Sequence, residues 1–242
     1  MTQTALVQGG AGGLGRALLQ RIVNSGRFDR ILVTARQPSK LEVKDSRIHK
    51  IELDLTSDVS IAEAQTICRE MADRLHLVVS TAGILKTDTL SPEKKLADLS
   101  RHALETVFSV NCFGPFLFYG GLMPLFRHSD LLTVATLSAR VGSISDNRLG
   151  GWHSYRASKA AQNMLTRNLS IELKRTNPNS IVVGLHPGTV DTNLSKPFQT
   201  YVAEEKLFSV QQSANYLFDV IENLTPEHTG RIFAWDGSEI PA

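Results

Sequence analysis

Cysteine is scarce in this 242-residue chain. Cys68 and Cys112 stand far apart and without metal-ligand spacing, which argues against a disulfide framework and for core packing in a reducing compartment. Charge of one sign is missing too. Lys and Arg number 26 against 24 Asp and Glu, and a net charge of +2 offers no basic face for nucleic acid or an anionic membrane. The seven histidines show no metal-like grouping, so no metal is expected. There is no Gly-x-Ser-x-Gly elbow, which argues against an α/β-hydrolase. Internal repeats and low-complexity linkers are lacking. The start, Met1-Thr2-Gln3-Thr4, lacks the charged region and long apolar run of a signal peptide, so a cytoplasmic protein is expected. Residues 108–126 are apolar and nearly long enough to span a bilayer. They carry Asn111, Gly114, Pro115, Gly120, Gly121 and Pro124, which favours an internal helix buried against a sheet or a partner subunit.

What is present is a regular alternation. Apolar runs at 4–8, 31–35, 47–53, 75–80, 131–137, 180–185 and 231–234 read as strands. Between them, 16–24, 59–72, 100–126, 152–175 and 209–224 read as helices, the third bent near Pro115. Residues 85–99 and 142–151 read as loops. Apolar strands alternating with helices imply parallel pairing with both faces covered. The expected fold is therefore α/β: one doubly wound parallel sheet of about seven strands, in a single domain over 1–242.

A glycine cluster lies between the first strand and the first helix. Three registers fit: Gly10-x-Gly12-x-x-Gly15, Gly9-x-x-x-Gly13-x-Gly15 and Gly9-x-x-Gly12-x-x-Gly15. Glycines allow a tight turn and close approach to a pyrophosphate, and the helix N-terminus adds free N–H groups and partial positive charge. The end of the second strand should read the adenosine ribose. An acid there selects NAD, whereas this chain has Ala35-Arg36, and a guanidinium suits the 2′-phosphate of NADP. Arg16 and Lys40 can add charge. Asp54, after the third strand, is either an acceptor for the adenine amino group or a turn residue.

Tyr155 and Lys159 fall one helical turn apart on one face of the fifth helix. A free phenol, with a pKa near ~10, is a poor acid–base group at neutral pH. An adjacent cation favours the phenolate and brings that value toward working pH. Ser138, Gly83 and Pro187 close strands, and ligands of open α/β sheets bind at the carboxyl ends of strands.

Gly9/Gly13/Gly15, Asn111, Ser138, Tyr155, Lys159 and Pro187-Gly188, in that order, resemble the short-chain dehydrogenase/reductase family over nearly the whole chain. Residues 146–152, the stretch 155–159 and Phe233-Ala234-Trp235-Asp236-Gly237 resemble its C-factor-like and sniffer-like carbonyl reductase branch. The resemblance implies an NADP(H)-dependent oxidoreductase acting between a carbonyl and an alcohol. It implies that Tyr155 is the general acid, that Lys159 lowers its pKa and holds the nicotinamide ribose, that Ser138 bonds the substrate oxygen, and that Asn111 holds a relay water. The implied cofactor set is Gly9, Gly12, Gly13, Leu14, Gly15, Arg36, Asp54, Leu55, Ala82, Gly83, Tyr155, Lys159, Pro187, Gly188, Val190 and Thr192. Gln8 and Ser80-Thr81 depart from the family's usual residues. Ile144, Trp152 and His153 are expected to shape the pocket. A substrate loop at 190–210, with Leu194, Phe198, Tyr201, Leu207 and Phe208, points to an apolar carbonyl compound. Helices 100–126 and 152–175 are the expected homodimer contact. The rival reading is an NADP(H)-binding signalling or regulatory protein of C-factor type.

Overall fold

The computed structural model describes residues 2–201, 203 and 206–242, with the side chains of Pro197, Thr200 and Tyr201 outside the description. The strand positions are β1 (Thr4–Gln8), β2 (Arg30–Ala35), β3 (Ile48–Glu52), β4 (Leu77–Ser80), β5 (Leu132–Leu137) and β6 (Ser180–His186), then β7 (Thr189–Val190), β8 (Leu207–Phe208), β9 (Ile232–Ala234) and β10 (Glu239–Ile240). The helices are α1 (Gly13–Asn24), α2 (Asp58–Met71), α3 (Arg101–Phe108), α4 (Gly114–Phe126), α5 (His153–Leu173) and α6 (Val210–Glu222).

Eight strands pair in the order β10-β9-β6-β5-β4-β1-β2-β3, all parallel except β10. The expected count of about seven misses β10, whose two residues are too few to show a pattern. β7 and β8 form a separate parallel pair. Side chains alternate between faces along each strand. Ala5, Val7, Ile31, Val33, Leu77 and Val79 pack with α1 and α6, while Leu6, Leu32, Val78 and Val134 pack with α2, α4 and the end of α5. Both faces are thus apolar, which is why the strands read as continuous hydrophobic runs.

The expected bend near Pro115 is a wide helical turn over Ser109–Phe113, between α3 and α4. The segment Arg101–Phe126 is long and apolar enough to cross a membrane by length and composition. Its Phe118, Tyr119, Leu122, Leu125 and Phe126 are buried in the core, and Tyr119 bonds the Thr136 hydroxyl at 3.0 Å. It is a core helix of this fold.

The chain runs from β1 outward to β3 and then returns to the other side of β1 as β4. Such a reversal opens a crevice at the carboxyl ends of β1 and β4.

Candidate active site

The crevice is built by the glycine loop and the residues after β4. The single proton of Thr81 Oγ1 is shared between Gln8 O and Gly9 O, at 3.0 and 3.1 Å. Gly9 has φ +88°, and a Cβ on Gly15 would lie 2.3 Å from Gly9 O and 2.6 Å from Thr81 Oγ1. These two glycines are demanded by the turn itself. Gly12 differs: its φ of −70° suits any residue, and a Cβ there would meet only Gly9 O, at 3.5 Å. Gly12 caps α1 without a side-chain acceptor, and the first turn carries no acid. An uncapped helix start with a bare backbone is suited to a phosphate anion. Across from it, Thr192 Cγ2 would lie 3.7 Å from a Cβ on Gly13. The side chains of Leu14 and Val190 are buried in the core, so toward a ligand each offers backbone alone.

A few residues away, helix α5 is fastened to the end of β5 by three side chains. Lys159 Nζ donates to Leu137 O at 2.7 Å and to Gln162 Oε1 at 2.8 Å, and Gln162 Nε2 donates to the same carbonyl at 3.1 Å. Ser138 Oγ donates to Asn163 Oδ1 at 2.6 Å. Tyr155, one turn before Lys159, is 7% exposed and sits among Leu85, Leu90, Val107, Ala139, Val141, Trp152, Leu194 and Phe198.

The electrostatics differ from the expectation. Burial pushes the Tyr155 phenol up to about 12, with no lowering from Lys159. The ammonium lies 5.9 Å from the ring centroid and directs two of its three N–H bonds to Leu137 O and Gln162 Oε1. Burial pulls Lys159 itself down to about 7. In this arrangement the phenol is held as an acid and the lysine is poised near neutrality.

Asn111 is fully buried in the wide turn. Its amide accepts from Ile84 N at 2.7 Å and donates to Ile84 O at 2.9 Å and to Ser158 Oγ at 3.1 Å. The side chain thus ties the loop after β4 to α5. A Cβ on Gly83 would lie 3.6 Å from Asn111 Oδ1 and 3.8 Å from Lys159 Nζ, so the fold brings Gly83, Asn111 and Lys159 together. Ala82 N lies beside Gly9.

At the far end of the crevice, Arg36 is exposed just past β2. Asp54 Oδ1 accepts from Thr56 N and Oγ1, at 2.9 and 2.7 Å. Those bonds, with a smaller contribution from Arg36, hold its carboxyl below the usual range. Arg16 pairs with Glu42. Leu55 is half-buried and packs with the core under α2 and α4. Pro187 O accepts from Ser213 Oγ at 2.8 Å, and Gly188 follows in a left-handed conformation, φ +76°.

The chain matches the short chain dehydrogenase family over residues 3–202. It belongs to that family. It is 33% identical over 181 residues to the C-signal protein of Myxococcus xanthus, covering 74% of this chain and 98% of that one. The NADPH-bound carbonyl reductase from chicken fatty liver superposes with a TM-score of 0.86 at 25% identity, over 100% of this chain and 99% of that one. The carbonyl reductase Sniffer of D. melanogaster shares the fold, with a TM-score of 0.85 at 21% identity over the full length of both chains. The protein is accordingly an oxidoreductase of the short chain dehydrogenase family, and a nicotinamide cofactor fits the bare helix start at Gly12.

The expected rim residues of this short chain dehydrogenase divide between different surroundings. Ile144 is 77% exposed and is not among the side chains packed around Tyr155, whereas Trp152 is. Phe208 packs on Trp235 and Tyr216, with centroids at 4.6 and 5.5 Å, and not on the Tyr155 cluster. Leu194 and Phe198 do join that cluster. The side chain of Tyr201 lies outside the described residues. Gln162 and Asn163 escaped the sequence reading. They follow Lys159 by three and four residues, on the face that must meet the sheet, and that register was the available signal.

Proposed function

We propose that this protein is an NADP(H)-dependent carbonyl reductase in which Tyr155 protonates the carbonyl oxygen. The observation that carries this reading is the Tyr155 phenol, buried among apolar side chains and set one turn from Lys159. Bound NADPH supplies the hydride. Tyr155 gives its proton to the oxygen of the incipient alkoxide, so that hydride and proton together make the alcohol. Lys159, with its ammonium drawn down to about 7, then returns a proton to the phenolate. Ser138 orients the carbonyl, and Asn111 holds the geometry between Ser158 and the loop after β4.

For the cofactor, Gly9, Gly12, Gly13 and Gly15, with the backbone at Leu14, take the pyrophosphate. Arg36 takes the 2′-phosphate, and Asp54 and Leu55 flank the adenine. Ala82 and Gly83 lie along the nucleotide. Lys159 takes the nicotinamide ribose, and Pro187, Gly188, Val190 and Thr192 take the carboxamide. The apolar walls around Tyr155 favour an apolar aldehyde or ketone. A second copy covers the exposed Phe113 of the wide turn, Leu117 of α4 and Met164 of α5, a pairing that sedimentation of the purified chain as a monomer would refute.

NADPH oxidation with a panel of apolar aldehydes and ketones tests the reading. Turnover that vanishes in Tyr155→Phe supports it, and absence of turnover with every carbonyl refutes it. Similarity to the C-signal protein sustains the second reading, a regulatory protein that binds NADP(H) without turnover that matters. Tight NADPH binding with no turnover would favour that reading.

A further inference from the structure

We propose that Trp152 sets the size of substrate admitted over Tyr155, and that Glu93 is the positioning residue that holds Trp152 in place. The specificity half of this inference rests on the carbonyl reductase reading; the positioning half does not.

The chain enters α5 through a left-handed turn. Gly150, Gly151 and Trp152 have φ of 62°, 64° and 49°. Trp152, with ψ 45°, is the one non-glycine residue at positive φ among the described residues. A bulky side chain is disfavoured there, and the surroundings must over-determine it. They do so from two sides. Glu93 O accepts from Trp152 N at 2.6 Å, and Glu93 Oε2 accepts from Ser154 N at 3.2 Å. On the other side, Arg156 Nε donates to the carbonyls of Gly150 and Gly151, both at 3.1 Å, and Arg156 Nη1 to Val141 O at 3.3 Å.

Glu93 lies far back in the loop before α3, yet it is 2% exposed, and its second oxygen, Oε1, is buried without a hydrogen-bond partner. Its carboxylate supplies what the helix start needs, an acceptor near the positive end. Trp152 occupies the cap position and provides no side-chain acceptor. A serine or aspartate there would cap the helix locally. The sequence instead places an indole at the cap and brings the acceptor from a distant loop. The indole lies 4.7 Å from the Phe198 ring and 6.3 Å, edge-on, from Tyr155. Trp152 therefore spans from the helix bearing Tyr155 to the segment after β7, as a wall of the pocket.

The test uses the full chain with Trp235→Phe, which leaves Trp152 as the remaining one of two tryptophans. Glu93→Leu fills the buried volume without an acceptor, and Glu93→Gln keeps an oxygen for Ser154 N–H. Glu93→Leu is expected to shift Trp152 emission to longer wavelength and increase acrylamide quenching, and Glu93→Gln to restore both. A Glu93→Leu spectrum identical to wild type makes the role one of packing and overturns the positioning. In turnover, Trp152→Ala and Glu93→Leu are expected to shift kcat/KM at least ~10-fold toward a bulky aryl ketone over a small aliphatic one, chiefly through KM, with Glu93→Gln close to wild type. An unchanged ratio in Trp152→Ala overturns the specificity. Should Glu93→Leu fail to fold, Glu93→Met, also without an oxygen acceptor, takes its place in the spectrum with the same two outcomes, and the Trp152→Ala ratio still judges the specificity. If wild type reduces no carbonyl, the proposed function falls, while the fluorescence result still judges the Glu93–Trp152 clamp.

Discussion

Ser138 donates its hydroxyl proton to Asn163 Oδ1 at 2.6 Å, so the serine's single donor is already committed within the protein. A hydroxyl has one proton to give. To donate to a substrate oxygen, Ser138 must first release Asn163. Tyr155 faces no such competition, and its phenol stays protonated. The two residues should therefore contribute unequally to carbonyl reduction.

The first prediction follows from that inequality. Tyr155→Phe keeps the ring and removes the proposed proton donor, and should cut kcat for reduction by at least ~10²-fold while NADPH affinity barely changes. Ser138→Ala removes a group whose net hydrogen bond is worth ~1 kcal/mol, and should cost no more than about 10-fold. Steady-state kinetics on the best carbonyl checks both. A Ser138→Ala loss equal to that of Tyr155→Phe would contradict the ranking.

The second concerns Lys159 and pH. Its folded value is about 7 against an ordinary 10.5, so between those limits the unfolded chain binds more protons than the folded one. Stability then rises with pH across that window, and the penalty for burying the ammonium is full below about 7. Lys159→Met lacks the group. The stability of wild type relative to Lys159→Met should climb from pH 7 toward 10 and be flat below pH 6. Urea titrations at fixed pH measure the difference, and a constant difference from pH 6 to 10 would show that Lys159 is not so perturbed.

How much of this was legible beforehand varies by residue, for physical reasons. The Tyr155–Lys159 pair could be read because helical spacing puts residues four apart on one face. The crevice could be read because apolar strands followed by Gly9, Gly83 and Ser138 fix where the carboxyl edge lies. Gln162 and Asn163 could not, since polar residues on a helix resemble a solvent-facing stripe until the sheet end that binds them is known. Glu93 sits in a loop rich in charge, and only its 2% exposure marks it. The direction of the Tyr155 shift was misread because spacing gives proximity along the helix and not where the Lys159 ammonium points. Leu137 O and Gln162 Oε1 decide that.

The glycine loop gives a third prediction that separates folding from binding. Gly12→Ala adds a Cβ at ordinary contact distance, 3.5 Å from Gly9 O, in a conformation open to any residue. Its thermal stability should stay near wild type, while the new methyl crowds the helix start and weakens NADPH binding. Gly15→Ala places a Cβ 2.3 Å from Gly9 O, and should lose about 1–3 kcal/mol of stability by overpacking. Melting curves and calorimetric NADPH titrations distinguish them. Gly12→Ala binding NADPH as tightly as wild type would move the phosphate site elsewhere.

The last prediction concerns cofactor choice at Arg36. The residue is exposed just past β2, near enough to Asp54 to help lower its carboxyl. A charge-assisted hydrogen bond is worth about 1.5–3 kcal/mol, or roughly ten- to a hundred-fold in affinity, and solvent pulls the value to the lower figure. Arg36→Leu should weaken NADPH about 10-fold and leave NADH nearly unchanged, because only the former carries the 2′-phosphate. Arg36→Asp should go further, since a carboxylate repels that phosphate and can accept from the ribose hydroxyls of NADH. Substituting here is cleaner than at Ala35, which is 5% exposed and would bury the new charge. Raising the salt concentration should shrink the NADPH preference of wild type and leave that of Arg36→Leu unmoved. Calorimetric titration of both cofactors into the three proteins at two salt concentrations is the measurement. If Arg36→Leu weakens NADPH and NADH alike, the residue supports the adenosine end in general and does not read the phosphate.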